Sequence, residues 1–193
     1  MTETISELLR HASRAAVAVV GGIRDDELRL PTPCDAYEVG DLLNHLFQVV
    51  VNFQALAAKE SADFSTTPDH LHGDWRAGFE AETARLVAAW SMPGADEGIS
   101  GGMGLPAGIV ARMALLDLTV HAWDLARATG RDYTPPSQVI PALNELVDTM
   151  ATTARTMNVF AAPVPTPEDA PPFEALLAHT GRDPRWNSAT ATR

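Results

Sequence analysis

Apolar residues recur at three- and four-residue spacing near the start of the chain, between Ile5 and Val19. This spacing places them on one face of a helix, so the pattern predicts an amphipathic α-helix. The Gly21-Gly22 pair that follows is typical of a helix end.

The same kind of spacing predicts four further helices and a short one. The second helix is expected to begin near Asp35, which we interpret as an N-cap because Glu38 stands three residues later, as in a capping box. The predicted segments are 35–59, 74–90, 106–129 and 135–157, with the short helix at 173–179.

No segment has the period-two alternation of a strand, so the predicted fold class is all-α. We predict one domain over residues 1–193. Residues from about 160 to 193 are expected to form an extended, proline-rich segment that packs on the helices and is disordered at its end. A glycine-rich stretch at 95–108 suits a loop that lies close to another backbone or over a pocket.

Composition and charge exclude several function classes. Hydrophobic residues make up 46% of the chain and aromatic residues only 6%, which indicates a globular core of Ala, Leu and Val. The formal net charge of −11, without a basic run, argues against nucleic acids and anionic membranes as partners. We find neither a signal peptide nor the roughly 20 apolar residues that a spanning helix needs. With Cys34 as the single cysteine no internal disulfide can form, so we predict a cytoplasmic protein.

Ionisable residues stand on the apolar stripes of two predicted helices. Asp117 and His121 are four residues apart, so their side chains lie one above the other and can converge on one ion. His45 borders the apolar stripe of the second helix. Two imidazoles and one carboxylate leave a coordination position open, as in catalytic sites for zinc, nickel or ferrous iron.

These candidates also have simpler interpretations. Asp117 and His121 can hydrogen-bond to each other without a metal, and His45 can be an ordinary core residue. Asp124, three residues after His121, is a candidate outer partner that orients the imidazole, or it pairs with an arginine.

Three more residues carry weaker signals. His70 and His72 stand in a polar loop, where they are solvated or fold over the open metal position. Cys34 precedes the second helix, and a thiol near a helix N-terminus can be a nucleophile with a lowered pKa. The alternative for Cys34 is a small buried residue positioned by Pro33.

Three segments, at 32–46, 117–130 and 162–184, resemble the motifs of one family. The chain is similar to the mycothiol-dependent maleylpyruvate isomerase-like metal-binding proteins, a branch of the DinB/YfiT-like superfamily typical of actinobacteria. The resemblance implies a DinB-like four-helix bundle with an additional helix and an irregular Pro-rich C-terminal segment. It also implies one divalent metal ion held by His45, Asp117 and His121, with zinc as the first choice and nickel or iron as alternatives.

The function that the resemblance implies is a metal-dependent transferase or isomerase that uses a low-molecular-weight thiol such as mycothiol. Its partners are then a small-molecule thiol and an electrophile, and a homodimer is allowed. The alternatives are a non-catalytic metal- or ligand-binding module, such as a stress sensor, and a metal-free structural bundle.

Two departures from the family pattern bear on this function. Asp117 stands where the isomerase is expected to have Glu, and Tyr37 stands where the first motif usually has Trp. The isomerase also has a separate C-terminal domain, which this chain is expected to be too short to hold.

Overall fold

The computed structural model describes residues 3–188, which contain six α-helices and one short 3₁₀-helix. Helices α1 and α2 each pack against both α3 and α4, so the four form a bundle in which α1 lies diagonally opposite α2. Helix α5 packs on α4, and α6 packs on α5. The helices are α1 (Ile5–Gly22), α2 (Val39–Ala57), α3 (Trp75–Trp90), α4 (Ala107–Ala128), α5 (Ile140–Thr156) and α6 (Pro172–His179), with the 3₁₀-helix at Asp25–Glu27.

The prediction of an all-α protein is confirmed, because the described residues contain only two isolated β-bridges besides the helices. Helix α1 begins where a capping box satisfies its first amides. The Thr4 amide donates to the Glu7 carboxylate at 2.7 Å, and the Glu7 amide donates to the Thr4 hydroxyl at 3.4 Å. None of the helices in residues 3–188 is long and apolar enough to cross a bilayer.

The prediction that Asp35 caps the second helix is wrong, because α2 begins at Val39. The Thr32 hydroxyl folds the intervening residues into a turn: it accepts from the Cys34 amide at 3.1 Å and lies 2.9 Å from the Tyr37 carbonyl oxygen, to which it donates. The Glu38 amide then donates to the carboxylate of Asp41 at 3.2 Å. The capping motif therefore lies three residues further along the chain than predicted.

Helix α4 is buried on most of its surface because α1, α2 and α5 all pack against it. Its buried residues include polar ones, among them Thr119, His121 and Asp124. The Thr119 hydroxyl is satisfied within the helix, since it donates to the Leu115 carbonyl at 2.8 Å. The ionisable side chains His121 and Asp124 are buried on this helix and need polar partners, and this places the candidate site against α4.

The glycine-rich loop does not cover the candidate site, contrary to one of the alternatives that the sequence allows. Gly101 lies against the backbone of Lys59, just beyond the C-terminal end of α2. His45 is twelve residues before the last residue of α2, Ala57, which is about 18 Å at the rise of an α-helix. The loop instead matches the other alternative, which is that it lies close to a neighbouring backbone.

Replacement of Gly101 by alanine should destabilise the protein, because the added Cβ would overlap the carbonyl group of Lys59. We expect a cost of about 1–3 kcal/mol in the free energy of unfolding. Gly21→Ala is the matched control. Its Cβ would meet nothing within 4 Å in α1, so it should stabilise by about 0.5–1 kcal/mol. Urea denaturation measures both values, and equal midpoints for the two variants would contradict the packing described here.

The C-terminal segment folds back onto the bundle. The Val164 amide donates to the Ala178 carbonyl at 3.0 Å, and Arg155 donates to the His179 carbonyl at 2.9 Å. Gly181 has φ of +89° and lies so close to Ala161 that a Cβ would not fit. The segment thereby brings Arg182 to α4. The predicted disorder at the end of the chain concerns residues 189–193, which lie outside the described residues.

Candidate functional site

Three ionisable side chains line one face of α4 at the level of the candidate site. The His121 ring contacts the carboxylates on both sides of it along the helix. Its Nδ1 lies 2.9 Å from Oδ2 of Asp124, and its Nε2 lies 3.9 Å from Oδ1 of Asp117. The imidazole is therefore held by one carboxylate and directed toward the other.

Asp124 is fully buried and is paired with the guanidinium of Arg182. Arg182 donates to its carboxylate from Nη2 at 3.1 Å and from Nε at 3.3 Å, across 58 positions of sequence. Burial alone would raise the pKa of Asp124, but the positive charge of Arg182 and the hydrogen bond from His121 outweigh burial and lower it. An ionised carboxylate only accepts, so Nδ1 of His121 donates to Asp124 and Nε2 is the ring nitrogen that faces Asp117.

His45 enters the site from α2. Its ring stands edge-on to the ring of His121, with centroids 5.1 Å apart and planes at 89°. The other neighbour of His45 is Tyr37, which stacks on it at 5.3 Å. Burial, and then the neighbouring His121 and Arg182, lower the pKa of His45 to about 4. His45 is therefore neutral at physiological pH and has a lone pair available for a ligand.

Asp117 lies at the open side of this group. Its side chain is 31% exposed, whereas that of His121 is 8% exposed. Burial among the surrounding protein groups raises the pKa of Asp117, and the charges of His121 and Arg182 oppose that rise. Burial therefore disfavours the charged form of this carboxylate, and a bound cation would relieve that cost.

The donor chemistry of His45, Asp117 and His121 fits a zinc-type ion. Donor atoms of two ligands on one tetrahedral zinc lie about 3.4 Å apart, close to the 3.9 Å between Nε2 of His121 and Oδ1 of Asp117. Two imidazoles on one zinc have centroids about 5 Å apart, and the observed separation is 5.1 Å. Within residues 3–188, however, no group of three or more His, Cys, Asp or Glu is arranged so that it could hold a metal ion.

Cys34 lies in the turn before α2 and not at the helix N-terminus, contrary to the premise for a lowered pKa. Burial raises the pKa of its thiol, and the nearby charge of Arg182 only partly offsets this. This direction favours the alternative interpretation of Cys34 as a partly buried residue in the turn over that of an activated nucleophile.

Alkylation of Cys34 by iodoacetamide at neutral pH should be slower in the folded protein than in the same protein unfolded in urea. The raised pKa reduces the thiolate fraction, and partial burial restricts access. Mass spectrometry of timed samples gives both rates. A faster reaction in the folded protein would contradict the assignment of an unactivated thiol.

The remaining loop histidines have partners away from these three side chains. His70 stacks on Phe47 with ring centroids 4.9 Å apart, and its amide donates to the side chain of Asn44. His72 is exposed and lies 3.3 Å from the carboxylate of Asp69. The structure therefore does not bring His70 or His72 over the open side of the site.

The sequence did not predict that Arg182 and Tyr37 take part in the site. Arg182 belongs to the Gly181-Arg182-Asp183-Pro184 segment, but nothing in its spacing pairs it with Asp124. In the sequence Tyr37 is a departure from the family motif, and in the structure its ring stacks on the ring of His45. The signal for Arg182 is indirect: a buried acid such as Asp124 requires a positively charged partner, but the sequence does not indicate which arginine supplies it.

The family model of the mycothiol maleylpyruvate isomerase N-terminal domain matches residues 9–126. The match covers more than half of the chain, and the protein belongs to this family. This confirms the resemblance that the three sequence motifs indicate.

Two further proteins and one solved structure are similar to this chain. Two uncharacterized proteins of Mycobacterium tuberculosis, from strains CDC 1551 / Oshkosh and ATCC 25618 / H37Rv, are 30% identical to it over 185 residues. The alignment covers 91% of this chain and 96% of each of theirs. The crystal structure of the mycothiol-dependent maleylpyruvate isomerase superimposes with a TM-score of 0.51, over 78% of this chain and 71% of that one. Because the sequence identity is 16%, this likeness establishes the fold alone, a helical bundle.

Proposed function

We propose that the protein binds one divalent metal ion through His45, Asp117 and His121 and uses it to activate a low-molecular-weight thiol, of which mycothiol is the first candidate. The observation that carries the proposal is the convergence of the His45 and His121 rings, 5.1 Å apart, beside the Asp117 carboxylate, which lies 3.9 Å from Nε2 of His121. Zinc is the preferred ion, with nickel or iron as alternatives.

Each residue has a role that follows from its contacts. His45, with its lowered pKa, offers a neutral imidazole. Asp124 accepts from Nδ1 of His121, which fixes the ring and leaves Nε2 free for the ion. Arg182 keeps Asp124 ionised and immobile. Tyr37 covers one face of His45 and restricts the access of water to it.

The reaction class is addition of a thiolate to an electrophile, for transfer or isomerisation. A divalent ion held by His45, Asp117 and His121 would supply Lewis acidity, which would lower the pKa of a bound thiol. Membership of a family named for a mycothiol enzyme supports the choice of thiol. The shorter Asp117, in place of the expected Glu, and the distant fold relationship leave the electrophile open.

The thiol claim is tested with cobalt in place of zinc. Mycothiol should produce a sulfur-to-cobalt charge-transfer band in the near ultraviolet, and S-methylated mycothiol should not, because it cannot ionise. A His121→Ala variant mixed with cobalt should give no band. A cobalt-loaded wild-type protein whose spectrum mycothiol leaves unchanged would contradict thiol activation.

One observation favours a second candidate, a metal-free bundle. His121, Asp124 and Arg182 satisfy one another, and no group of three candidate ligands among the described residues is preset for an ion. In that case the thiol and the metal would both fail to bind, and the network would serve only to attach the C-terminal segment to α4.

A further inference from the structure

The C-terminal segment, residues 160–188, touches the candidate site through the side chain of Arg182. Its helix α6 packs on α5, whereas the side chains of the site lie on α2 and α4. The stretch 160–171, which leads from α5 toward α6, contains neither helix nor strand. The segment is therefore joined to α4 by individual side-chain contacts and not by an extensive helix–helix interface.

Two residues near the end of α4 hold the segment. Arg127 donates from Nη2 to the Pro184 carbonyl at 3.2 Å, and Asp124 accepts from Nη2 of Arg182 at 3.1 Å. The side chain of Arg182 is 11% exposed, so its charge lies inside the protein when the segment is docked. Docking therefore decides whether the buried Asp124 has its counter-charge.

A single oxygen atom joins this contact to the site. Oδ2 of Asp124 accepts from Nη2 of Arg182 and also from Nδ1 of His121, at 2.9 Å. Nε of Arg182 lies 3.3 Å from Oδ1, so the guanidinium holds both oxygens of the carboxylate. Without Arg182 the carboxylate is free to turn away from Nδ1. The ring of His121 then loses the contact that directs its Nε2 toward Asp117.

We propose that docking of the C-terminal segment sets the orientation of His121 and thereby regulates the candidate site. Arg182 is a positioning residue in this proposal, since it acts on His121 through Asp124. A ligand that binds the oriented ring must in turn strengthen docking, because the coupling of two binding events is reciprocal. The inference rests on the proposed function for the identity of that ligand, whereas the orientation of the ring is a property of the metal-free protein.

The test uses the full chain without metal and observes the Nδ1 proton of His121 by ¹H NMR. A proton held between an imidazole and a buried carboxylate exchanges slowly with water and gives a separate signal far downfield. The wild-type protein should show this signal. Its disappearance in His121→Gln identifies it.

Gly181→Ala should detach the segment without changing Arg182 or the side chains that Arg182 contacts. The glycine has φ of +89°, and its added Cβ would lie 2.5 Å from Cβ of Ala161. Hydrogen exchange of residues 172–186 should become faster, and the Nδ1 signal should be lost. Gly104→Ala is the matched control, because its φ of +64° imposes the same backbone strain but its Cβ would meet nothing within 4 Å. The signal should remain in this control.

Arg182→Met tests the same link without backbone strain and should also lose the Nδ1 signal. Arg182→Lys keeps the charge but not the fork of donors, so it should restore the signal in part. In Gly181→Ala and Arg182→Met the dissociation constant for zinc should rise about tenfold or more, as is typical when the partner that orients a metal-binding histidine is lost. In the wild-type protein zinc should slow hydrogen exchange of residues 172–186.

An Nδ1 signal that is absent from the wild-type protein, or that persists in Arg182→Met, would overturn the inference. So would a Gly181→Ala protein whose residues 172–186 exchange fast while the signal stays. A wild-type protein that binds no zinc refutes the proposed function, and the NMR comparison still decides this inference. Equal zinc affinity in the wild type and both variants refutes only the regulation by the segment.

Discussion

Asp124→Ala should lower the free energy of unfolding by about 3–5 kcal/mol, because it leaves the buried guanidinium of Arg182 without a counter-charge. It also removes the acceptor for Nδ1 of His121. The loss is measured by urea denaturation at neutral pH. If the variant is too unstable to purify, Asp124→Leu/Arg182→Met provides the test, since removing both charges should restore much of the stability.

Asp117 is the matched control on the same helix. Its pKa is raised, so folding favours its protonated form, and this contribution to stability is present at low pH and is lost as pH rises through the folded pKa. Asp117→Asn should therefore stabilise the metal-free protein at neutral pH. If Asp117→Asn and Asp124→Ala destabilise the protein equally, the distinction between Asp124, which Arg182 holds in its charged form, and Asp117, whose charged form burial disfavours, is wrong.

Asp124 has the opposite pH dependence. Its folded pKa is lowered, so its contribution is present above the unfolded pKa of about 4 and is lost as pH falls through the folded value. The difference in stability between wild type and Asp124→Ala should accordingly shrink only in strong acid. This difference is measured by urea denaturation at a series of pH values.

Zinc should stabilise the metal-free protein against unfolding by about 2.7 kcal/mol at a free concentration 100 times its dissociation constant. The reason is that the folded protein gathers His45, Asp117 and His121 in one place, whereas the unfolded chain does not. Thermal denaturation with and without buffered zinc measures the shift in Tm.

Two histidine variants make this result specific. His45→Ala should abolish the shift, because it removes the ligand from α2. His11→Ala is the control: His11 is also half-buried, but it pairs with Glu3 at 3.2 Å, and the shift should remain. A zinc effect that survives in His45→Ala would place the metal elsewhere on the chain.

The ends of a helix were predictable where a single stripe of apolar residues determines that helix. Helix α1 starts at the predicted Ile5, and α3 and α4 deviate by one residue at most at each end. The start of α2 was not predictable, because it depends on the Thr32 hydroxyl and on the bridge between Pro31 and Glu38. The spacing of Asp35 and Glu38 matches a capping box, but the tertiary contacts place the cap of α2 at another pair of residues.

The site shows the same division between local and long-range information. The contacts of His121 with Asp117 and Asp124 follow from helical spacing, so the sequence indicates them directly. The contact of His45 with His121 joins α2 to α4, and it was suggested only by polar residues on apolar stripes and by the family resemblance. Arg182 reaches Asp124 because the C-terminal segment folds back, and no periodic pattern contains that information.

The measurement that tests the central claim most directly is elemental analysis of protein purified without chelator and without a histidine tag, beside the His45→Ala/His121→Ala variant. The account predicts about one equivalent of zinc, nickel or iron in the wild type and none in the variant. Absence of metal from both proteins after reloading with each ion, with the fold intact by circular dichroism, would contradict the metal site and the thiol chemistry that depends on it.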